Sequence, residues 1–222
     1  MRRRDFIKGI AGSATVWPLA ARAQQPAKIG FLRSTDAASS QELLAAFRQG
    51  LAENSYVEGR NLIIEYRWAD NHDERLPSLT ADLIRQNVAV IVAGGGTVVA
   101  LPAIAATKTI PIVFELGGDP VKLGLVSSLS HPGGNVTGVA LFANVVGPKR
   151  IELLHELVPK ADVIGVLGYS NSPTVEGEVK QLQEAARQFG IRLEVLNAGT
   201  NDEIDLAFTT LLQSKGGARL LF

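Results

Sequence analysis

Short apolar segments recur along this chain, each ended by glycine or polar residues and followed by a segment with a helical pattern. The stretch Ile110–Leu125 shows the unit well: an apolar run is broken at Gly117 and Gly118, and Asp119-Pro120 then marks a helix start. Such a short apolar run, bounded by turn residues, is typical of a strand buried on both faces, as parallel sheets require. The alternation therefore predicts an α/β fold with doubly wound parallel sheets.

The same pattern assigns elements to most of the chain. Strands are predicted over residues 28–32, 61–66, 88–93, 110–114, 136–141, 163–167, 191–196 and 218–222. Helices are predicted over residues 41–51, 73–86, 97–107, 120–129, 149–158, 174–189 and 203–212, with Pro102 interrupting the third of them.

The pattern also divides the chain into lobes. Residues 142–148 are irregular and contain a glycine, and the strand–helix alternation restarts after them. We therefore predict one α/β lobe over residues 24–143 and a second over residues 144–222. Because the chain stops inside a strand pattern with no covering helix, we expect the second lobe to be incomplete.

Residues 1–23 have the features of an export signal. Arg3-Arg4 opens a twin-arginine pattern, a modestly apolar stretch follows, and Ala21-Arg22-Ala23 resembles a cleavage site. This predicts export by the twin-arginine (Tat) route, cleavage near Ala23 and a periplasmic mature protein. The alternative is a basic tail followed by a short buried helix.

Composition argues against several classes of function. The formal net charge is zero; residues 1–23 hold five basic residues and one acidic residue, a net of +4, so the remainder is about −4 and no basic face indicates nucleic acid. No cysteine is present. His72, His131 and His155 lack the spacing of metal ligands and are predicted to be surface residues. No nucleophile motif or phosphate-loop lysine occurs, so we predict no catalytic residue, no metal and no cofactor.

A binding site explains the polar residues that follow the strands. Gly95, Gly96 and Thr97 could offer backbone N–H groups to a ligand carboxylate, with Ser34 at the same edge. Asp119 could then bind a ligand ammonium, which suits a zwitterion such as an amino acid. The alternatives are that Asp119 and Thr97 only cap helices and that the glycines only permit tight packing.

The second lobe offers a corresponding set. Tyr169, Asn171 and Ser172 follow a predicted strand and would face the same cleft, or would form an ordinary strand–helix turn. Trp68, after the second strand, could stack on an apolar ligand or pack at the strand end.

Several separated blocks resemble one family, the ABC-transporter substrate-binding proteins that include tryptophan- and tyrosine-type members. The resemblance lies in RWADNHDERLPSLTADLI, VAVIVAGGGTVVA, TKTIPIVFELGGDPVKLGLVSSL, HPGGNVTGV and KRIELLHELVPKA. It implies a type I periplasmic binding protein, with two lobes that clamp a small ligand, no catalysis, and delivery to a membrane permease driven by a cytoplasmic ATPase.

The family also sets expectations that this chain does not fully meet. Gly118 stands where members usually have a hydroxyl residue, His131 stands where arginine is common, and Pro102 is unusual in its helix. Family members are longer, which agrees with an incomplete second lobe, and they are expected to be monomers. An exported sensory module, or an exported enzyme on the same fold, remains as an alternative function.

Overall fold

Two parallel sheets with helices on both faces form the computed structural model, which describes residues 26–213 and 218–221. The first sheet and its helices form lobe 1. Its elements are β1 (Ala27–Arg33), α1 (Gln41–Glu53), β2 (Leu62–Trp68), a 3₁₀ turn (Asp73–Arg75), α2 (Leu76–Arg85), β3 (Val90–Gly94), α3 (Thr97–Ala106), β4 (Ile112–Leu116) and β5 (Val136–Ala140).

Lobe 2 follows through a second 3₁₀ turn. Its elements are that turn (Ala143–Val146), α4 (Gly147–Leu157), β6 (Val163–Tyr169), α5 (Val175–Gln188), β7 (Arg192–Ala198), α6 (Asn201–Gln213) and β8 (Ala218–Leu221). The division predicted between residues 143 and 144 stays a prediction, and the predicted signal over residues 1–23 lies outside the described part of the chain.

The strand order is of the doubly wound kind in both lobes. Lobe 1 has the order β2-β1-β3-β4-β5, lobe 2 has the order β7-β6-β8, and every pair is parallel. In lobe 1 the order reverses between β1 and β3, so the loops leaving these two strands diverge to opposite faces of the sheet. Open α/β sheets bind ligands at the carboxyl ends of strands at such a reversal.

The core of lobe 1 covers both faces of its sheet. Leu32 and Ile91 are fully buried on one face with Leu83 of α2, whereas Phe31 and Ile64 are buried on the other face against α1. Neighbouring residues of a strand point to opposite faces, which is why Phe31 and Leu32 enter different cores. The predicted doubly wound sheet is therefore confirmed.

Lobe 2 is built in the same way. Ile164 of β6 is buried with Ile151 of α4 and Leu182 of α5. Leu211 of α6 is buried over Gly165, on the other face of the same sheet. Within the described residues, no helix has both the length and the apolar character needed to cross a bilayer.

The predicted helix over residues 120–129 is wrong. Asp119 caps a single turn, because its carboxylate accepts the N–H groups of Val121 and Lys122 at 2.9 and 3.3 Å. Gly124 then takes a left-handed conformation (φ 68°), and the chain turns away as the N–H of Leu125 donates to the carbonyl of Pro120. Asp119 therefore makes the predicted capping hydrogen bonds, but the turn that it caps does not continue into a helix.

Pro102 gives the other departure in lobe 1. It lies inside α3 without interrupting the helix, contrary to the prediction. Proline removes one backbone donor, and here the helix continues because its buried residues Val99, Ala100 and Ala103 are held in the core.

Candidate functional site

A cavity of about 250 Å³ lies where the two lobes meet, and we call it the cleft cavity. Six of the eight predicted site residues line it: Ser34, Gly95, Gly96, Thr97, Tyr169 and Ser172. These residues follow or end β1, β3 and β6, so the carboxyl edges of both sheets face the same space.

Lobe 1 presents a turn and a helix start to the cleft cavity. Gly95 and Gly96 both have positive φ (115° and 87°), a conformation that bends β3 sharply into α3 and that favours glycine. A Cβ on Gly95 would lie 3.2 Å from Oγ of Ser34 and 3.3 Å from Cγ2 of Val99. The turn therefore leaves little room for a side chain.

The start of α3 is not capped by a side chain. Gly96 precedes the helix and provides no cap, and Thr97 and Val98 are the first two helical residues. N–H groups at these positions have no acceptor within the helix, so they suit an anion. The N–H of Gly96 itself donates to the carbonyl of Glu115 at 3.1 Å, so it is not free for a ligand.

Lobe 2 presents four apolar side chains to the same space, beside the polar residues Tyr169, Ser172, Thr174 and Glu178. Val166 and Leu182 are buried, and Val175 and Val179 lie beside them on α5. This apolar wall was absent from the sequence prediction, although Val175, Val179 and Leu182 share one helix face. A helical stripe of this kind indicates a core face equally well, so the pattern alone could not assign it to a cavity.

Asp119 and Asn171 were predicted in the site but do not line the cleft cavity. Asp119 lines a neighbouring cavity of about 280 Å³ together with Lys122, and its carboxylate accepts the two turn N–H groups described above. The alternative interpretation, that Asp119 is a capping residue, is therefore the one that the geometry supports.

Asn171 takes part in a contact between the lobes. Its side-chain amide lies 3.3 Å from Oδ2 of Asp73, which also accepts a 2.6 Å hydrogen bond from the hydroxyl of Tyr169. We call Asp73, Tyr169 and Asn171 the interlobe clasp. Asp73 was missed from the sequence, where it was assigned only to a helix start; its position just after β2 was the available signal.

The interlobe clasp affects the hydroxyl of Tyr169. Partial burial, and then the hydrogen bond to the Asp73 carboxylate, raise the pKa of the Tyr169 phenol above its usual value. The phenol therefore keeps its proton at neutral pH and donates a hydrogen bond to the Asp73 carboxylate. Tyr169 lines the cavity, and its hydroxyl is hydrogen-bonded to Asp73.

Trp68 packs within lobe 1 instead of stacking on a ligand. Its ring lies 5.6 Å from that of Phe31 and stacks on Tyr66 at 6.1 Å, in the core against α1. His72 and His131 are exposed as predicted, but Nδ1 of His155 is buried, with its ring 5.2 Å from that of Phe189.

Arg33 and Glu115 lie at the edge of the site. The guanidinium of Arg33 crosses over Gly94 to lie 3.8 Å from the Glu115 carboxylate. This pair spans three neighbouring strands, because Arg33, Gly94 and Glu115 are in register. Within the described residues, no group of three or more His, Cys, Asp or Glu side chains is placed to hold a metal ion.

The fold and the cavity define a class: a two-lobed α/β binding protein of the type I periplasmic kind. Residues 28–220 match the family model of the ABC transporter substrate binding proteins. The chain belongs to this family, which is one of solute-binding proteins, and the resemblance noted in the sequence is confirmed.

Individual relatives agree with this assignment. The chain is 29% identical over 184 residues to a tyrosine-binding protein of Clostridioides difficile, covering 83% of this chain and 52% of the relative. A Streptococcus pneumoniae structure in complex with L-Trp is 25% identical, with a TM-score of 0.73 and coverage of 89% of this chain and 65% of that one. A conserved domain protein of Vibrio cholerae is 27% identical, with a TM-score of 0.72 and coverage of 83% and 62%.

The chain thus spans about half the length of the curated relative that it matches, and less than two thirds of these two solved structures.

Proposed function

We propose that this protein is the solute-binding component of an ABC importer and that it binds an amino acid in the cleft cavity. The observation that carries the proposal is the division of the cavity walls. Lobe 1 supplies a helix start without a side-chain cap, and lobe 2 supplies an apolar patch on α5 and the neighbouring strand β6.

The polar wall suits the part that all amino acids share. A carboxylate at the start of α3 would accept N–H groups of Thr97 and Val98 and would interact favourably with the helix dipole. The hydroxyls of Ser34 and Ser172 line the same space and could add further hydrogen bonds.

The apolar wall suits the side chain of the ligand. Val166, Val175, Val179 and Leu182 would cover hydrocarbon or aromatic surface, which is stabilised by roughly 25 cal/mol for each Å² removed from water. The relatives named for tyrosine and for L-Trp support an aromatic amino acid as the first ligand to test.

The remaining parts of the role follow from the family and from the N-terminal sequence. We propose export by the Tat route with cleavage near Ala23, a periplasmic location, a monomeric state, no nucleic-acid partner, and delivery to a permease in the inner membrane. Catalysis has no place in this role, and no cofactor is needed for it.

The experiment is a binding assay with the protein purified after expression of the whole 222-residue chain. L-Tryptophan, L-tyrosine and the other standard L-amino acids are added one at a time, and the melting temperature is recorded. A ligand that binds only the folded state stabilises it by about 2.7 kcal/mol at a hundred times its Kd. Isothermal titration then gives the Kd of each compound that raises the melting temperature.

The expected result is a rise with one or a few apolar or aromatic amino acids. A well-folded protein that melts cooperatively and responds to none of them would contradict the proposed ligand class. Deletion of residues 1–23 gives the matching test of export, since the shortened protein should stay in the cytoplasm.

A further inference from the structure

We propose that Asp73 is a positioning residue of the cleft: it holds the hydroxyl of Tyr169 across the gap between the lobes, and this bond keeps the lobes closed. The effect of this bond on a bound ligand rests on the proposed function, but closure of the lobes can be measured without any ligand.

The interlobe clasp joins distant parts of the chain. Asp73 belongs to lobe 1, and Tyr169 is the last residue of β6 in lobe 2. Their hydrogen bond is short, at 2.6 Å from the phenol oxygen to Oδ2, and Asn171 adds a second donor at 3.3 Å. Hydrogen bonds to a carboxylate are among the stronger ones in proteins.

Lobe 1 fixes the position of Asp73. The loop before it is anchored to the end of β1, since Ala69 donates to the carbonyl of Arg33 at 2.9 Å and Asn71 donates to that of Ser34 at 2.7 Å. Asp70 and Asn71 both take positive φ (56° and 63°), which turns the chain sharply before Asp73. Asp and Asn tolerate this conformation better than most residues.

The interlobe clasp lies beside the cleft cavity. Ser34, which anchors the loop, and Tyr169, which donates to Asp73, both line the cavity. Asp73 does not line it. It therefore acts on a ligand through Tyr169, by holding the aromatic ring in place and by holding the lobes together.

The Asp73 carboxylate contributes both favourable and unfavourable free energy to the closed state. Oδ2 of Asp73 accepts hydrogen bonds from Tyr169 and Asn171, but Oδ1 is buried without a hydrogen-bond partner among the described residues. A buried carboxylate oxygen without a partner opposes closure, because opening would return it to water. The clasp therefore favours closure without making it irreversible, which suits a protein that must release its ligand.

The test measures the separation of the lobes in the absence of ligand. The chain contains no cysteine, so Arg60→Cys in lobe 1 and Lys160→Cys in lobe 2 give two labelling sites at exposed positions. Single-molecule energy transfer between dyes at these sites reports the ratio of open to closed molecules.

Two variants remove the clasp from opposite sides. Tyr169→Phe keeps the ring in the cavity and deletes the hydroxyl, and Asp73→Ala deletes the acceptor. Each should raise the open-to-closed ratio by about tenfold, as expected for one hydrogen bond to a charged group. The double variant should change the ratio no further than Asp73→Ala alone, because without the acceptor the Tyr169 hydroxyl has no clasp bond left to lose.

Tyr66→Phe is the matched control. Its hydroxyl also donates to a carboxylate, that of Glu58 at 3.1 Å, but both residues belong to lobe 1. This variant should leave the ratio unchanged. The melting temperature of each variant shows that it is folded.

A second measurement connects the clasp to the ligand. The dissociation rate of L-tryptophan should rise in Tyr169→Phe and Asp73→Ala and stay constant in Tyr66→Phe. Unchanged lobe separations in both clasp variants, or additive effects in the double variant, would overturn the inference. If the clasp variants open as expected but the wild-type protein binds no amino acid, the proposed ligand fails and the clasp is supported.

Discussion

Two turns at the carboxyl ends of strands are built in different ways: the turn after β3 lines the cleft cavity, and the turn after β7 does not. In lobe 1, β3 passes through Gly95 and Gly96 into α3, which starts without a side-chain cap. In lobe 2, the turn after β7 is closed by its own residues. Glu203 accepts the N–H groups of Gly199 and Thr200 at 2.7 and 3.2 Å, and Thr200 accepts that of Glu203 at 3.3 Å.

This difference in capping decides which helix start has backbone N–H groups available for a ligand. A capping box satisfies the donors of a helix start from within the protein, so those donors have less to offer a ligand. The start of α3 lacks this protection and faces the cavity. Lobe 1 therefore suits the charged end of a ligand, and the wall of lobe 2 near α5 suits its apolar end.

The largest effect is expected from Gly95→Ala in lobe 1. Alanine at this positive φ costs about 1–3 kcal/mol and places a Cβ against Ser34, so the turn that aims α3 at the cavity must shift. We expect the affinity for the amino-acid ligand to fall by about tenfold or more, as measured by isothermal titration.

Gly59→Ala is the control for that variant. Gly59 also has a positive φ (80°), but a Cβ there would meet nothing within 4 Å and the residue lies away from the cavity. It should lower stability and leave the affinity constant. Equal losses of affinity in the two variants would contradict a specific role for the start of α3.

A smaller effect is expected from Val179→Thr in lobe 2. The side chains have similar shapes, but the hydroxyl makes the wall polar at a cost of about 1–3 kcal/mol if it stays without a partner. The affinity for L-tryptophan should fall several-fold relative to that for L-serine. Val57→Thr, at a half-buried position away from the cavity, should leave this ratio constant.

The clasp gives a prediction of pH dependence. The folded state raises the pKa of Tyr169 above 10.0, first through burial and then through Asp73. Stability from the protonated phenol should be fully present below pH 10 and should be lost as the pH rises through the raised pKa.

Urea unfolding of the wild-type protein and of Tyr169→Phe, compared between pH 8 and a pH above that raised pKa, checks this prediction. Their stabilities should differ at pH 8 and should converge above the raised pKa. A difference that grows with pH would show that the phenol does not act as a protonated donor.

The smallest effect is expected from Glu203→Gln. The backbone N–H of Gly199 is the main cause that lowers the pKa of Glu203 below its ordinary value of 4.5. The stability from this carboxylate should be present above pH 4.5 and should be lost as the pH falls through the lowered pKa.

The measurement for Glu203→Gln is a set of thermal melts from neutral to acid pH. The variant should melt slightly lower at neutral pH and should approach the wild-type protein in acid, with no change in ligand affinity at neutral pH. A clear loss of affinity would mean that the capped end of lobe 2 also serves the site.

The sequence predicted the elements where the local signals agree. Buried strands such as β3 and β4 are recognisable because they are short apolar runs bounded by glycine, although β4 begins two residues later than predicted. The error at residues 120–129 arose because Asp119-Pro120 is a valid helix start, whereas Gly124, only a few residues later, ends the turn. Capping signals identify where a helix can begin, and later residues decide whether it continues.

Four of the five site residues predicted in lobe 1, and two of the three predicted in lobe 2, line the cleft cavity. Ser34, Gly95, Gly96 and Thr97 were found because the ends of parallel strands meet at one edge, which follows from strand order alone. The apolar residues of α5 could not be assigned, since a helix face that lines a cavity has the same pattern as one that fills a core.

The sequence by itself determined the doubly wound sheets and the family, because each depends on local periodicity or on blocks of residues read in order. The tertiary structure decided which aspartate serves which purpose. Asp119 caps its own turn, and Asp73 receives a hydrogen bond from a residue 96 positions away in the other lobe. Such a contact depends on how the two sheets meet, and no local pattern in the sequence encodes that arrangement.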